Sequence, residues 1–209
     1  MKTALIFEMD GTLADSYASL SASLKYVYSR LEEARKQMQS EPEKVDPSLK
    51  APQSLWPLND RGTILDPVLG QYKEQLKQGA DRVPEVYDVI YKLSAEGRQI
   101  AICSRKPVKL TERLTRNLGL DDFLVGVYGP ESVGDPNPHA GMIMRAMTDM
   151  GVRREELLFI GDLPEDVDAA RSAGVRVALV TSAASRSAYA MGAPDYLVDN
   201  WTQILSLPL

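Results

Sequence analysis

Six short apolar runs, at 3–7, 100–103, 123–128, 157–160, 175–180 and 196–198, punctuate this chain, and stretches of helical character separate most of them. A short continuous apolar run that ends in polar turn residues is the pattern of a strand buried on both faces. Strands that alternate with helices pair in parallel, because the intervening helix carries the chain back to the end where it started. The pattern therefore predicts an α/β fold, a doubly wound parallel sheet. In such sheets ligands bind beyond the carboxyl ends of the strands, so the polar residues directly after each run are the candidates for chemistry.

The alternation is interrupted once. Between 15 and 79 no strand-like run occurs, and a small helical cap is expected there, inserted after the first strand of a core formed by 1–14 and 80–209. Tyr17, Leu20, Leu24, Val27, Leu31, Ala34 and Met38 recur every three to four residues and describe one long amphipathic helix. A second is expected at about 65–77. The stretch 41–61, rich in Pro, Lys, Asp and Ser, reads as a solvated loop or a lid. Trp56, Asn59 and Arg61 within it would meet a substrate under a closing lid, or pack onto the cap helices.

Composition narrows the function classes. With 209 residues and 44% hydrophobic content the chain can bury one substantial core and carry one small accessory domain. A formal charge of −5 offers no basic footprint, so nucleic acid is not expected as a partner. One cysteine excludes an intrachain disulfide. No apolar run reaches transmembrane length, and the first residues lack the basic-then-apolar order of a signal peptide. A cytoplasmic protein without a membrane partner is the expectation.

Glu8 and Asp10 follow the first run two residues apart, Ser104 follows the second, and Asp162 follows 157–160 through Gly161. A helix beginning near Pro164 would turn Asp166 back toward the strand ends. Carboxylates forced together repel and raise one another's pKa unless a cation neutralises them, and an all-oxygen set without Cys or His suits Mg²⁺. Glu8, Asp10, Asp162 and Asp166 are the candidate metal ligands. The turn amides of Met9, Asp10 and Gly11 form a candidate donor site for an anion, to which Ser104 adds a hydroxyl. Metal, amides and hydroxyl together suit a phosphate group. Taken singly, Asp10 reads as well as a turn former and Asp162 as a helix cap.

The segment Phe7-Glu8-Met9-Asp10-Gly11-Thr12 resembles the first motif of the haloacid dehalogenase (HAD) superfamily, Asp-x-Asp-Gly-Thr, and Gly161-Asp162-Leu163-Pro164-Glu165-Asp166 resembles its fourth. Ile100 to Ser104 is similar to the second motif, while Leu118-Gly119-Leu120-Asp121-Asp122-Phe123 and Tyr196-Leu197-Val198-Asp199 look like the phosphoglycolate phosphatase branch. The resemblance implies a Mg²⁺-dependent phosphatase acting on a small phosphorylated metabolite under a helical cap. It further implies that the first aspartate of the motif attacks phosphorus and the second, matched by Asp10, acts as acid and base.

Two departures follow. Glu8 stands where the resemblance places the nucleophile, and its extra methylene moves the carboxylate by roughly 1.5 Å. We read Glu8 as a ligand that no longer attacks, within the catalytic candidates Glu8, Asp10 and Ser104. Asp135 stands in Asp135-Pro136-Asn137-Pro138-His139 where relatives carry lysine. Arg105, with Lys106 beside it, is the candidate to restore positive charge at the phosphate, although loop cations are often merely solvated. Asp135 could alternatively help hold a second cation. His139 and Cys103 are expected to be structural. The leading reading is a phosphatase-like protein with a Mg²⁺ and phosphate site and weak or lost hydrolysis. The alternatives are an active small-molecule phosphatase using Glu8, and a non-catalytic interaction protein on the same scaffold.

Overall fold

In the computed structural model, residues 3–15, 25–26, 29, 32, 81–83, 85–134, 138–181 and 193–208 are described. Eight strands occur among them: β1 (Ala4–Phe7), β2 (Ala14–Asp15), β3 (Asp81–Arg82), β4 (Gln99–Cys103), β5 (Gly126–Tyr128), β6 (Leu157–Gly161), β7 (Arg176–Val180) and β8 (Tyr196–Val198). Six form one sheet in the order β5-β4-β1-β6-β7-β8, and every neighbouring pair is parallel. β1 lies inside the sheet, flanked by β4 and β6, and the chain extends the sheet first on the β4 side and then on the β6 side. That reversal opens a crevice at the carboxyl ends of these three strands.

Among the described residues four α-helices join the sheet in the core unit: α1 (Val86–Ala95), α2 (Val108–Asn117), α3 (Pro138–Met150) and α4 (Pro164–Ala173). Side chains alternate across the strands, so β1 supplies both layers. Ala4 and Ile6, with Ala101, Cys103, Leu157 and Phe159, join Met142, Ile143 and Ala146 of α3 and Val167 and Ala170 of α4 in one buried cluster. Phe7 points to the other side and stacks on Trp201 of the 3₁₀ segment Trp201–Ser206, with centroids 5.9 Å apart and planes at 18°. This offset pair adds about 0.5–1.5 kcal/mol beyond the area it buries. α1 packs against the same segment and against β4.

The expected runs match the sheet strands closely, except at 123–128. There only Gly126–Tyr128 is a strand, and Asp121–Phe123 is a 3₁₀ turn. The Phe123 ring makes edge contacts with Tyr87 at 5.5 Å and Tyr91 at 6.1 Å, so it covers α1 instead of continuing the strand.

By contact the chain divides into two compact units, Met1–Asp15 with Ala80–Leu209, and Ser16–Gly79. Within the first, β2 and β3 pair antiparallel, with Ala14 opposite Arg82 and Asp15 opposite Asp81. Chain exit and return are therefore stitched together beside β1. Of the second unit, Lys25, Tyr26, Ser29 and Glu32 are described; they are helical and exposed. The apolar stripe expected from Tyr17 to Met38, the helix at about 65–77 and the 41–61 stretch with Trp56, Asn59 and Arg61 lie outside the described residues. No helix among the described residues is long and apolar enough to cross a membrane.

Candidate active site

The carboxyl ends of β1, β4 and β6 bring the expected polar residues to one end of the sheet. Glu8 directly follows β1, and its N–H donates to Ile160 O at 2.8 Å, so its backbone is still held by β6. Its side chain is buried, and Oε2 has no hydrogen-bond partner among the described residues. The turn after it is tight. Leu13 and Ala14 N–H groups both donate to Met9 O at 3.0 Å, and Gly11, at φ 79°, donates its N–H to Ala14 O at 2.8 Å. A left-handed residue is required there, which glycine supplies at no steric cost. The Gly11 amide therefore serves the turn. The Met9 and Asp10 amides donate to no backbone carbonyl outside the strands and helices among the described residues, which leaves them as candidate anion donors.

Asp166 is held from two sides. Pro164 starts α4 and Asp166, two residues on, turns back so that Oδ2 accepts the N–H groups of Asp162 at 2.9 Å and Leu163 at 3.0 Å. Oδ1 faces His139 Nε2 at 3.4 Å, without hydrogen-bond alignment. The His139 ring in turn meets Phe159 edge-on, with centroids 5.7 Å apart. Thr12 Oγ1 donates to Asp162 Oδ1 at 3.4 Å. Thr12 thus joins the site without having been assigned a role from sequence, and His139, expected to be structural, packs against Asp166. Thr12 lies in the first motif quoted above, and His139 ends the segment Asp135-Pro136-Asn137-Pro138-His139.

On the β4 side Ser104 is buried, its N–H donating to Tyr128 O at 2.9 Å and its Oγ accepting the Lys106 N–H at 3.2 Å. The Lys106 ammonium contacts Asp10 Oδ2 directly. Arg105 is exposed. Asp135, Pro136 and Asn137 lie outside the described residues, so the expected exchange of charge at 135 has no structural counterpart here.

The charges act on one another. Burial pushes the Glu8 carboxyl well above its usual range, Asp10, Asp166 and Asp162 push it further, and only Lys106 opposes them. Burial likewise raises Asp166 against its backbone amides and lowers His139 against the Asp166 charge, so each is shifted toward its neutral form. Cys103 is buried and its thiol is pushed up by burial, then by Glu8, consistent with an inert packing residue.

A carboxyl with a raised folded-state pKa binds its proton more tightly folded than unfolded. Stability is then greatest at low pH and falls as pH rises from the ordinary carboxylate range through the folded pKa. In chelator, the melting temperature should therefore fall as pH rises above the ordinary carboxylate range, and Glu8→Gln should remove part of that fall. Each kcal/mol relieved corresponds to about 2–4 °C for a chain of this size. Equal pH slopes for parent and variant in a melting series would contradict this.

Whether these residues suit a divalent cation can be judged from their free oxygens. Glu8 Oε2 and Asp10 Oδ1 are buried and unpartnered, which fits a hard cation in an all-oxygen site. Among the described residues, however, no three Asp, Glu, His or Cys side chains are drawn together as a ready ligand set. Asp10 Oδ2 is engaged by Lys106, and both Asp166 oxygens face protein groups.

A parallel doubly wound sheet with acidic residues beyond β1 and β6 and a buried serine beyond β4 defines an α/β protein whose site lies at its topological switch point. The chain belongs to the Haloacid dehalogenase-like hydrolase family, whose pattern it matches over residues 5–180. It is 28% identical over 137 residues to the phosphoglycolate phosphatase of Pectobacterium atrosepticum, an alignment covering 65% of this chain and 58% of that protein. It thus spans less than two thirds of that relative's length. It is also 28% identical over 210 residues to a Caldanaerobacter subterraneus protein provisionally named pyrophosphatase PpaX, covering 98% of this chain and 94% of that one. A haloacid dehalogenase-like hydrolase of Streptococcus pneumoniae shares the fold, with TM-score 0.75 and 22% identity over 98% of this chain and 97% of that one.

Proposed function

We propose that this chain is a phosphatase-type protein that binds Mg²⁺ and a small phosphomonoester and hydrolyses it weakly or not at all. The observation that carries this reading is Glu8. Its backbone is pinned to β6 through the 2.8 Å bond to Ile160, so the longer side chain cannot be accommodated by sliding the strand. Its buried oxygen finds no donor. Glu8, Asp10 and Asp162 would hold the cation, with Asp166 fixing the Asp162 loop through its amides. Bound Mg²⁺ would neutralise the carboxylates and the phosphoryl charge. Met9 and Asp10 amides and the Ser104 hydroxyl would orient the phosphoryl oxygens. Asp10 would give a proton to the leaving group and later take one from water. A small phosphorylated metabolite in the cytoplasm is the ligand this implies. Phosphoglycolate and pyrophosphate come first to hand, because the relatives carry those names.

The test is Mg²⁺-dependent phosphate release from a panel of small phosphomonoesters and pyrophosphate, with Asp10→Ala alongside. Turnover close to background for both proteins, with phosphate still bound, is the expected result. Rapid turnover abolished by Asp10→Ala would make Glu8 a competent nucleophile and the chain an active phosphatase. No phosphate binding at all would favour the scaffold reading.

A further inference from the structure

The turn after β4 is built to deliver one cation into the acidic cluster. Ser104 Oγ accepts the Lys106 N–H at 3.2 Å, curling the chain back two residues beyond the strand. Pro107 then leads into α2, whose first N–H, from Val108, donates to Glu131 Oε1 at 2.7 Å. Gly129 lets the end of β5 close behind the turn, because a Cβ there would stand 2.7 Å from Lys106 O and 2.9 Å from Val108 N. Fixed on both sides, Lys106 keeps only 12% of its side chain exposed and sets its ammonium on Asp10 Oδ2.

This placement poses a charge problem that a ligand would resolve. A phosphomonoester dianion entering here meets the oxygen-rich side chains of Glu8, Asp10, Asp162 and Asp166, and a positive group already set on Asp10 lowers that barrier. Lys106 carries three donors on a flexible stem, so its ammonium can face Asp10 and a phosphoryl oxygen at once, or turn from one to the other. Arg105 is one residue nearer the strand yet exposed, and its charge acts on Asp166 and His139 instead.

We propose that Lys106 is a catalytic residue that contacts the phosphoryl group: Asp10 holds its ammonium in the ligand-free site, and substrate draws it onto the phosphoryl oxygens, releasing Asp10 for proton transfer. This rests on the phosphate-binding reading above. It places Lys106 in the role for which Arg105 was the sequence candidate.

The experiment is calorimetric titration of inorganic phosphate in the presence of Mg²⁺ into the parent protein, Lys106→Met and Lys106→Arg. Loss of one charge-assisted hydrogen bond should weaken phosphate binding by about tenfold or more in Lys106→Met, while Lys106→Arg stays within about threefold of the parent. Binding by Lys106→Met within about twofold of the parent would overturn the assignment and leave the phosphatase reading intact. A parent that binds no phosphate would overturn both. Should Lys106→Met fail to fold, the unaltered protein decides: reductive methylation of Lys106, read by peptide mass spectrometry, should slow when phosphate and Mg²⁺ are added. An unchanged rate would reject the contact.

Discussion

Glu8→Asp should raise Mg²⁺-dependent phosphomonoester hydrolysis by about a hundredfold, the scale expected when a reacting atom is moved by about 1 Å. The change withdraws the carboxylate by one methylene from a backbone that the Ile160 contact holds in place. It also shortens a side chain whose outer oxygen is now buried without a partner. Asp10, Ser104, Asp162 and Asp166 all remain, so the variant needs no other new group if Lys106 supplies the positive charge. Steady-state rates for parent, Glu8→Asp and the double variant Glu8→Asp with Asp135→Lys separate the possibilities. A gain in the single variant supports both Glu8 as the lesion and Lys106 as the cation. A gain confined to the double variant would mean that the missing charge at 135 is what limits turnover. No gain in either would remove Glu8 from the explanation.

A large loss of stability from a single methyl group is expected at Gly161. A Cβ there would overlap the Asp166 carboxylate and stand 2.6 Å from Asp166 Cβ. Gly161 has no left-handed backbone to explain its presence, so the requirement is steric. In Gly161→Ala the carboxylate must leave the Asp162 and Leu163 amides, combining overpacking with two unsatisfied donors at about 2–4 kcal/mol in total. That corresponds to a melting temperature lower by roughly 4–16 °C. Phosphate binding should weaken as well, since the Asp162 loop loses its brace. Gly134→Ala is the control: its Cβ would meet nothing within 4 Å, and its effect should stay within about 1 kcal/mol. Equal melting of the two variants would show that the close approach at Gly161 is relieved without cost.

The sheet could be read in advance because its strands are buried on both faces, so apolar continuity reports them without regard to neighbours. Residues 4–7 are wholly buried and were legible for that reason. At 123–128 the same rule overextended the strand, because Phe123 is as apolar as a strand residue but is claimed by Tyr87 and Tyr91 of α1. The two-residue ladder of β2 and β3 was invisible, since it joins segments more than sixty positions apart and carries no pattern of its own.

The site divides in the same way. Glu8, Asp10, Ser104, Asp162 and Asp166 could be singled out from sequence as candidates because a parallel sheet sends whatever follows its strands to one end, and Pro164 marks the helix that returns Asp166. What each group does with its hydrogen bonds was decided only by tertiary structure. Gly11 turns its amide to Ala14, Asp166 takes two backbone donors, His139 is packed against Asp166 by Phe159, and Lys106, not Arg105, reaches Asp10. By itself the sequence determined the parallel sheet and which polar residues follow its strands, since both follow from local apolar runs and chain direction. Side-chain reach, donor partners and charge balance depend on distances of a few tenths of an ångström between segments far apart in the chain, and those exist only once β1, β4 and β6 are packed side by side.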